Sequence, residues 1–399
     1  MKVNEKCTGC MACYNICTTG AIEIIQNEKG FYEPNIIAGK CINCKKCKAV
    51  CPEVKKREKH NIKNVYAAWT KNKDIRKNST SGGIFSVIAT EILNEGGIVF
   101  GAIFDENFKV IHSYIKQKDD LIKLRGSKYV QSFIGNNFKK VEEFLKDGKK
   151  VLFSGTACQI AGLLNYLNKD YDNLITIDVL CHGIPSPKIF DEYLKNINSQ
   201  NRKIIGINFR YKKPSWTTYS MKIDFDDGKK YIKSNQKDPF LRGFAEDYIT
   251  KDICASCQYA TTKRISDITI ADFWGYISDE FNTRNTENGI SLIIENTEKA
   301  DEIIRKIKKQ LVIREKSIQE AVKGNVGLKR PYSKNKLYDE FWAEYIENGY
   351  EKVSKKYFLP KKQSLKRKIS LYFNNHAYII PKKIRNKLIT TRNNMKENS

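Results

Sequence analysis

Residues 151–196 read VLFSGTACQIAGLLNYLNKDYDNLITIDVLCHGIPSPKIFDEYLKN, and this stretch sets the architecture of the chain. Val151-Leu152-Phe153-Ser154 is a short apolar run of the kind found in buried strands, and Thr156 to Leu167 reads as a helix. Leu174 to Leu180 repeats the apolar run, and Pro187 to Asn196 reads as a second helix. Strand, helix, strand, helix predicts neighbouring parallel strands. Their carboxyl ends lie on one edge of the sheet, where such folds place their sites. Cys158 lies just past the first strand and Cys181 directly past the second, so the two thiols are expected near each other.

Outward from this stretch the α/β pattern continues. Upstream, the polar loop Ser79-Thr80-Ser81-Gly82-Gly83 feeds a helical run, Ile84 to Leu93, and Gly96-Gly97 breaks into a strand, Ile98 to Phe104. Downstream, Ile204 to Tyr211, Tyr219 to Asp226 and Lys229 to Ser234 look like a meander turning at Asp227-Gly228. Ile268 to Asp272 and Ile290 to Glu295 read as two further strands before the helical Lys299 to Gln310. The expected body is α/β with a mixed sheet, its N-terminal part at 65–146 and its C-terminal part at 148–323.

A different grammar precedes the body. Cys7-x2-Cys10-x2-Cys13-x3-Cys17 and Cys41-x2-Cys44-x2-Cys47-x3-Cys51-Pro52 are two complete runs of the spacing used by two-cluster bacterial ferredoxins. Three cysteines two residues apart wrap a tight loop whose thiolates converge on one cubane, while the fourth reaches the other cluster. Cys7, Cys10, Cys13 and Cys51 are therefore assigned to one 4Fe-4S cluster, and Cys41, Cys44, Cys47 and Cys17 to a second. Each cysteine of the first run lies 34 residues before its counterpart, which marks an internal duplication. An α+β ferredoxin-like module is expected over 1–55, followed by a charged linker from Glu53 to Lys63. Structural zinc and a disulfide framework are the competing readings. Thr18 stands where a proline often follows the fourth cysteine.

Cys158, Cys181, Cys254 and Cys257 remain, and four thiols are what a third cubane needs. The alternatives are a buried core cysteine at 158, or zinc held by Cys254 and Cys257 with Cys158, Cys181 or His182.

One-electron carriers call for a centre that gathers electrons in pairs, which a flavin does. Ser81, Gly82 and Gly83 before a helix, and Ser154, Gly155 and Thr156 at a strand-to-helix turn, are candidate phosphate cradles. Ser127, Lys128 and Tyr129 offer a hydroxyl, a charge and a ring to a flavin or adenine. A Gly-rich turn before a helix is more often structural, and no G-x-G-x-x-G fingerprint is present. His182 is the candidate proton donor, with a hydrogen bond to a cluster sulfur or a carbonyl as its other role. Asp267, Asp272 and Trp274 are candidates for the same cavity.

The formal charge of +26 is uneven: Glu351 to Ser399 holds fourteen Lys or Arg against two Glu. There Lys361, Lys362, Lys366, Arg367, Lys368, Lys382, Lys383 and Arg385 alternate with Leu365, Ile369, Leu371, Tyr372, Phe373, Ile379 and Ile380. A basic tail at 350–399 is expected, and its composition suits contact with an anionic membrane surface, with nucleic acid the runner-up target and a simple solvated basic extension the competing reading. No signal peptide is read at the N-terminus, and no apolar stretch reaches the ~18 residues of a spanning helix. Cytoplasmic residence is expected, and it agrees with cysteines kept as metal ligands.

Several segments together carry a family resemblance. Ser81-Gly82-Gly83, Gly126-Ser127-Lys128-Tyr129-Val130-Gln131-Ser132, Phe153-Ser154-Gly155-Thr156-Ala157-Cys158-Gln159, Cys181-His182-Gly183-Ile184-Pro185-Ser186-Pro187 and Cys254-Ala255-Ser256-Cys257 resemble the coenzyme F420 hydrogenase/dehydrogenase beta-subunit family. The resemblance runs from about Val65 to Gln310. It implies a flavin-binding body with FAD, an iron–sulfur cluster near the flavin, and hydride exchange with a two-electron partner such as coenzyme F420. Among its branches, the chain looks most like the one associated with bacterial surface-polysaccharide synthesis. The resulting expectation is an iron–sulfur flavoprotein oxidoreductase with an unidentified small-molecule substrate. The rival is an electron-transfer subunit serving a separate catalytic partner, with a ferredoxin-like or other redox protein as the electron source or sink.

Overall fold

The computed structural model describes residues 3–4, 6–276 and 288–359. Among them run β1 Ile22–Gln26, β2 Tyr32–Ile36, β3 Asn64–Thr70, β4 Ile98–Phe104, β5 Val110–Ile115, β6 Val151–Thr156, β7 Leu174–Val179, β8 Ile204–Tyr211, β9 Ser220–Phe225, β10 Lys230–Ser234, β11 Ile268–Asp272, β12 Ser291–Glu295 and β13 Leu311–Glu315. Eight of these form one mixed sheet in the order β13-β3-β12-β11-β7-β6-β4-β5. Its centre is parallel, with Phe153 of β6 opposite Thr176 of β7 and Ile270 of β11 opposite Val179. The meander is a separate antiparallel sheet, β8 to β10, turning at Gly228 with φ 80°.

Period-two alternation sorts the large sheet into two buried faces. Val99, Leu152, Ile175, Ile177, Ile268 and Ile293 join a core built on the helices Ile84–Asn94 and Glu298–Ile307. Their neighbours Ile98, Phe100, Val151, Phe153 and Leu174 face the opposite way, against the helices Asn137–Lys146 and Ala157–Leu167. Helices on both faces explain why β6 and β7 read as continuous apolar runs.

The N-terminal module is welded to this second face. Met11, Ala12 and Val50 belong to the same core as Phe153 and Ile160, while Phe31 lies in the aromatic core of the small sheet with Trp342. Polar contacts pin the seam: Gln131 accepts from Tyr32 N at 2.8 Å, and Lys251 pairs with Glu33 at 2.6 Å. The duplication is visible in the backbone. Gly9 and Met11 have φ 75° and 60°, and their counterparts Asn43 and Lys45 have 57° and 60°. Both halves need left-handed residues to curl three cysteines inward, a conformation that Gly and Asn adopt most readily.

Three expectations change. The segment Glu53–Lys63 is no free linker: Lys55 bonds Asn168, Arg57 bonds Asn165 and His60 N donates to Arg264 O at 2.7 Å. A tail beginning at 350 is also corrected, because residues 350–357 form a helical turn after a break at Gly349, φ 75°, within Tyr338–Tyr357, and bury Tyr350, Val353 and Tyr357. The basic residues from Lys361 to Arg385 lie outside the described residues. Finally, β3, β5 and β13 went unread in the sequence. Among the described residues no helix is long and apolar enough to cross a membrane.

Candidate metal and cofactor sites

The carboxyl edge of β6 and β7 opens into a cleft. Cys158 enters it from the first turn after β6, Cys181 from the residue but one after β7, and Cys254 and Cys257 from a tight turn beneath. All four remaining cysteines thus line one space, and none forms a disulfide. Burial pushes Cys158 and Cys254 up to about 12 and raises Cys181 and Cys257 as well. A bare set of such thiols stays protonated at neutral pH, so thiolates here require a positive group among them.

Sequence-distant residues fix this geometry. Thr156 caps the helix Ala157–Leu167 in a reciprocal capping box with Gln159, whose Oε1 accepts from Thr156 N at 2.9 Å. Gln159 Nε2 in turn donates to Ser132 Oγ at 3.0 Å, and Ser132 donates to His112 Nδ1 at 2.8 Å. His112 Nε2 must then be the protonated nitrogen, donating to Ser154 O at 3.1 Å. Burial pushes His112 down to about 4 and keeps it neutral.

Below the cleft Arg264 pairs with Asp178 of β7, both buried, and donates to Tyr259 O at 2.5 Å, Thr261 O at 3.2 Å and Thr269 Oγ1 at 3.2 Å. Arg264 therefore ties the Cys254–Cys257 turn to the strand that delivers Cys181. His182 also lines the cleft, with Nε2 2.7 Å from Asp247 Oδ1 and its ring 3.7 Å from that of Tyr332. One ring nitrogen of His182 is thus held by Asp247.

A second cavity is lined by Cys7, Cys10, Cys13 and Cys51. This is the set that crossed ligation brings together. Cys47 packs with Cys13 and Cys17, while Cys41 and Cys44 are exposed. Thr8 walls both cavities. Cys10 also presses on the helix that carries Cys158: a Cβ at Gly162 would sit 2.8 Å from Cys10 Sγ and 2.9 Å from its Cβ. Gly162→Ala is therefore expected to push Cys10 out of place, costing about 1–3 kcal/mol through overpacking. Iron analysis of the purified variant is expected to show a loss of about four irons per chain, and an unchanged count would refute the contact.

Among the described residues no three His, Cys, Asp or Glu side chains close around one point to hold a single metal ion. Zinc draws each thiolate to about 2.3 Å, whereas a cubane has an iron at each of four corners and keeps its thiolates farther apart.

The candidate flavin residues divide into two groups. Thr80 and Ser127 join the first two loops, with Ser127 N donating to Thr80 Oγ1 at 2.8 Å. Gly83, at φ 87°, leaves the helix Ile84–Asn94 without a side-chain cap. Ser81 Oγ donates to Ile290 O, and Gly82 N to Ser291 Oγ, so these two stitch the loop to β12. Lys128 turns inward, its Nζ 3.1–3.5 Å from the carbonyls of Lys123, Leu124, Arg125 and Gly126. It closes the end of the helix Leu121–Leu124, and burial pushes it down to about 7. Ser154, Gly155 and Thr156 stand apart from this group. Ser154 Oγ donates to Phe100 O, Gly155 packs on Gln159, and Thr156 lines the cysteine cleft.

Unforeseen in the sequence is a buried cation beside Tyr129. Arg210 Nη1 donates to Tyr129 Oη at 2.9 Å and to Asp272 Oδ2 at 2.8 Å, while its Nε and Nη2 are buried without a hydrogen-bond partner. Its guanidinium lies 4.0 Å from the Tyr219 ring and 5.3 Å from that of Trp274. Trp216 stacks on Trp274 at 4.8 Å and donates to Asp272 Oδ1. Asp272 and Trp274 thus belong to this box, whereas Asp267 is spent inside the sheet on Thr176 and Thr297. Orphaned guanidinium donors beside planar aromatic rings fit a planar, electron-accepting group such as isoalloxazine.

Residues 148–321 match the C-terminal family model of the coenzyme F420 hydrogenase/dehydrogenase beta subunit, and residues 65–136 match the N-terminal model of the same family. Residues 6–54 match the model for a 4Fe-4S dicluster domain. Over 313 residues the chain is 27% identical to a coenzyme F420-dependent sulfite reductase of Methanocaldococcus jannaschii, covering 74% of this chain and 45% of that protein. The chain thus spans about half the length of this relative. Among solved structures, a chain of the F420-reducing NiFe hydrogenase complex of Methanosarcina barkeri aligns at 17% identity with a TM-score of 0.43, covering 74% of this chain and 91% of that one.

Proposed function

This chain belongs to the coenzyme F420 hydrogenase/dehydrogenase beta-subunit family, with a 4Fe-4S dicluster domain at its N-terminus, and we propose on that premise that it is the electron-transfer subunit of an F420-type oxidoreductase. Cys41, Cys44, Cys47 and Cys17 hold one cluster, Cys7, Cys10, Cys13 and Cys51 the next, and Cys158, Cys181, Cys254 and Cys257 a third. The observation that carries this reading is the shared wall: Thr8 lines both cavities, and Cys10 abuts the helix of Cys158. Adjacent thiol sites with one residue between them form a relay that needs no moving part.

FAD, when bound, supplies the exchange between single electrons and a hydride. The uncapped helix at Gly83, with Thr80 and Ser127, takes its phosphate. Arg210 offers positive charge and free donors to the ring, and Trp216 and Trp274 wall it. His182, fixed by Asp247, is a group able to hold or move a proton beside the cysteine cleft. Coenzyme F420 is the two-electron partner this reading favours. No observation here favours a sugar substrate of surface-polysaccharide synthesis.

Metal and flavin content of anaerobically purified protein tests the scheme. About twelve irons per chain and one FAD are expected. About eight irons with one zinc would reassign the cleft to a structural metal, and iron-free protein after reconstitution would end the proposal.

A further inference from the structure

The two halves of the duplicated module share a backbone and differ in what covers it. In the first half Met11 and Ala12 are buried against the body, at 2% and 0% exposure. Their counterparts 34 residues on are Lys45 and Lys46, both exposed, and Tyr14 is replaced by Lys48. Thr8, which walls the inner cavities, corresponds to Ile42, an aliphatic side chain 68% exposed. Cys41 and Cys44 are themselves exposed, whereas their counterparts Cys7 and Cys10 are half-buried and buried. The relay therefore has an inner end at the cleft and an outer end at the loop Gly39–Lys48.

Lys40, Lys45, Lys46 and Lys48 ring that outer end, and among the described residues no carboxylate neutralises them. The nearest acid in sequence, Glu53, is turned the other way, accepting from Gln258 beside the cleft. An apolar tip inside a ring of one charge is the layout of a transient protein contact, with the charges steering encounter and the tip making contact.

We propose that the loop Gly39–Lys48 is the docking face for a small acidic one-electron carrier protein. The carrier presents carboxylates around its own redox centre and exchanges a single electron with the cluster of Cys41, Cys44, Cys47 and Cys17. One centre is oxidised and the other reduced by one electron, and no bond or proton moves. The inference rests on the reading of the eight N-terminal cysteines as two 4Fe-4S clusters.

The test uses full-length holoprotein and a chemically reduced acidic ferredoxin as probe, followed by stopped-flow absorbance against reduction by dithionite. The wild-type rate constant with ferredoxin is expected to fall about tenfold as salt is raised from low to physiological strength. Replacing Lys40, Lys45, Lys46 and Lys48 together by Gln is expected to cost about the same factor at low salt, with iron content and cluster potential unchanged and a smaller loss in the rate with dithionite, whose reducing species is a small anion. Ile42→Thr, which copies the first half of the duplication, leaves every charge in place and is expected to weaken docking about threefold.

Ferredoxin rates that ignore both salt and the substitutions, with iron intact, would overturn the docking face alone. A shifted cluster potential with a matching change in the dithionite rate would assign the lysines to tuning the cluster instead. Self-association of the wild type, lost in the lysine variant, would give the face to a second copy. Wild-type protein without N-terminal cluster iron would remove the reading beneath the proposal.

Discussion

Arg264→Met is expected to destabilise the protein by about 3–5 kcal/mol, the usual cost of stranding one member of a buried ion pair. Asp178, wholly buried, would be left with only Ser266 Oγ, at 2.8 Å, from the present set. The backbone carbonyls of Tyr259 and Thr261 would also lose the guanidinium, Tyr259 O keeping only Thr261 N at 3.0 Å. Because those carbonyls follow directly on Cys257, damage should concentrate at the cleft. Chemical denaturation would register the stability loss, and iron analysis should show about four irons fewer. The double variant Asp178→Leu with Arg264→Met separates the two effects. It is expected to recover much of the stability, since an apolar pair avoids the desolvation cost, while the iron stays low because the Tyr259 and Thr261 contacts remain broken. Full iron in the double variant would show that Arg264 has no positioning role.

Cys158→Ser is expected to have the largest functional effect. A serine hydroxyl is a poor substitute for a thiolate ligand, so the cleft should lose about four irons while the N-terminal runs keep about eight. Dithionite should still reduce the remaining clusters, but passage to a two-electron acceptor should fall by about a hundredfold or more, the range seen when a metal site is disturbed. The two readouts together are diagnostic. Iron loss with undiminished passage would take the cleft out of the relay. Unchanged iron would remove Cys158 from the ligand set.

What the sequence disclosed follows from which forces are local. The spacing of the N-terminal cysteines is a property of a short loop, so the set lining the inner cavity could be read from eleven residues and their repeat. Cys158 and Cys181 converge because parallel strands end on one edge, and β6 and β7 were legible as uninterrupted apolar runs. By contrast β3, Asn64–Thr70, is buried along most of its length and shows neither alternation nor flanking turn signals. Lys128 was read as a ligand because it lies in a basic glycine-punctuated stretch. Its position four residues after the end of the helix Leu121–Leu124 is the signal that would have marked it as a carbonyl partner. Arg264 and Arg210 were invisible for another reason. Each sits in an ordinary polar or strand context, and the carboxylate that explains it, Asp178 or Asp272, lies 86 or 62 residues away.

The shared wall of Thr8 has a kinetic corollary. In the proposed relay the gap between the inner cavity and the cleft is set by folding itself, so that step is expected to show no dependence on solvent viscosity. A dependence is expected only where the relay meets a diffusing partner, at either end.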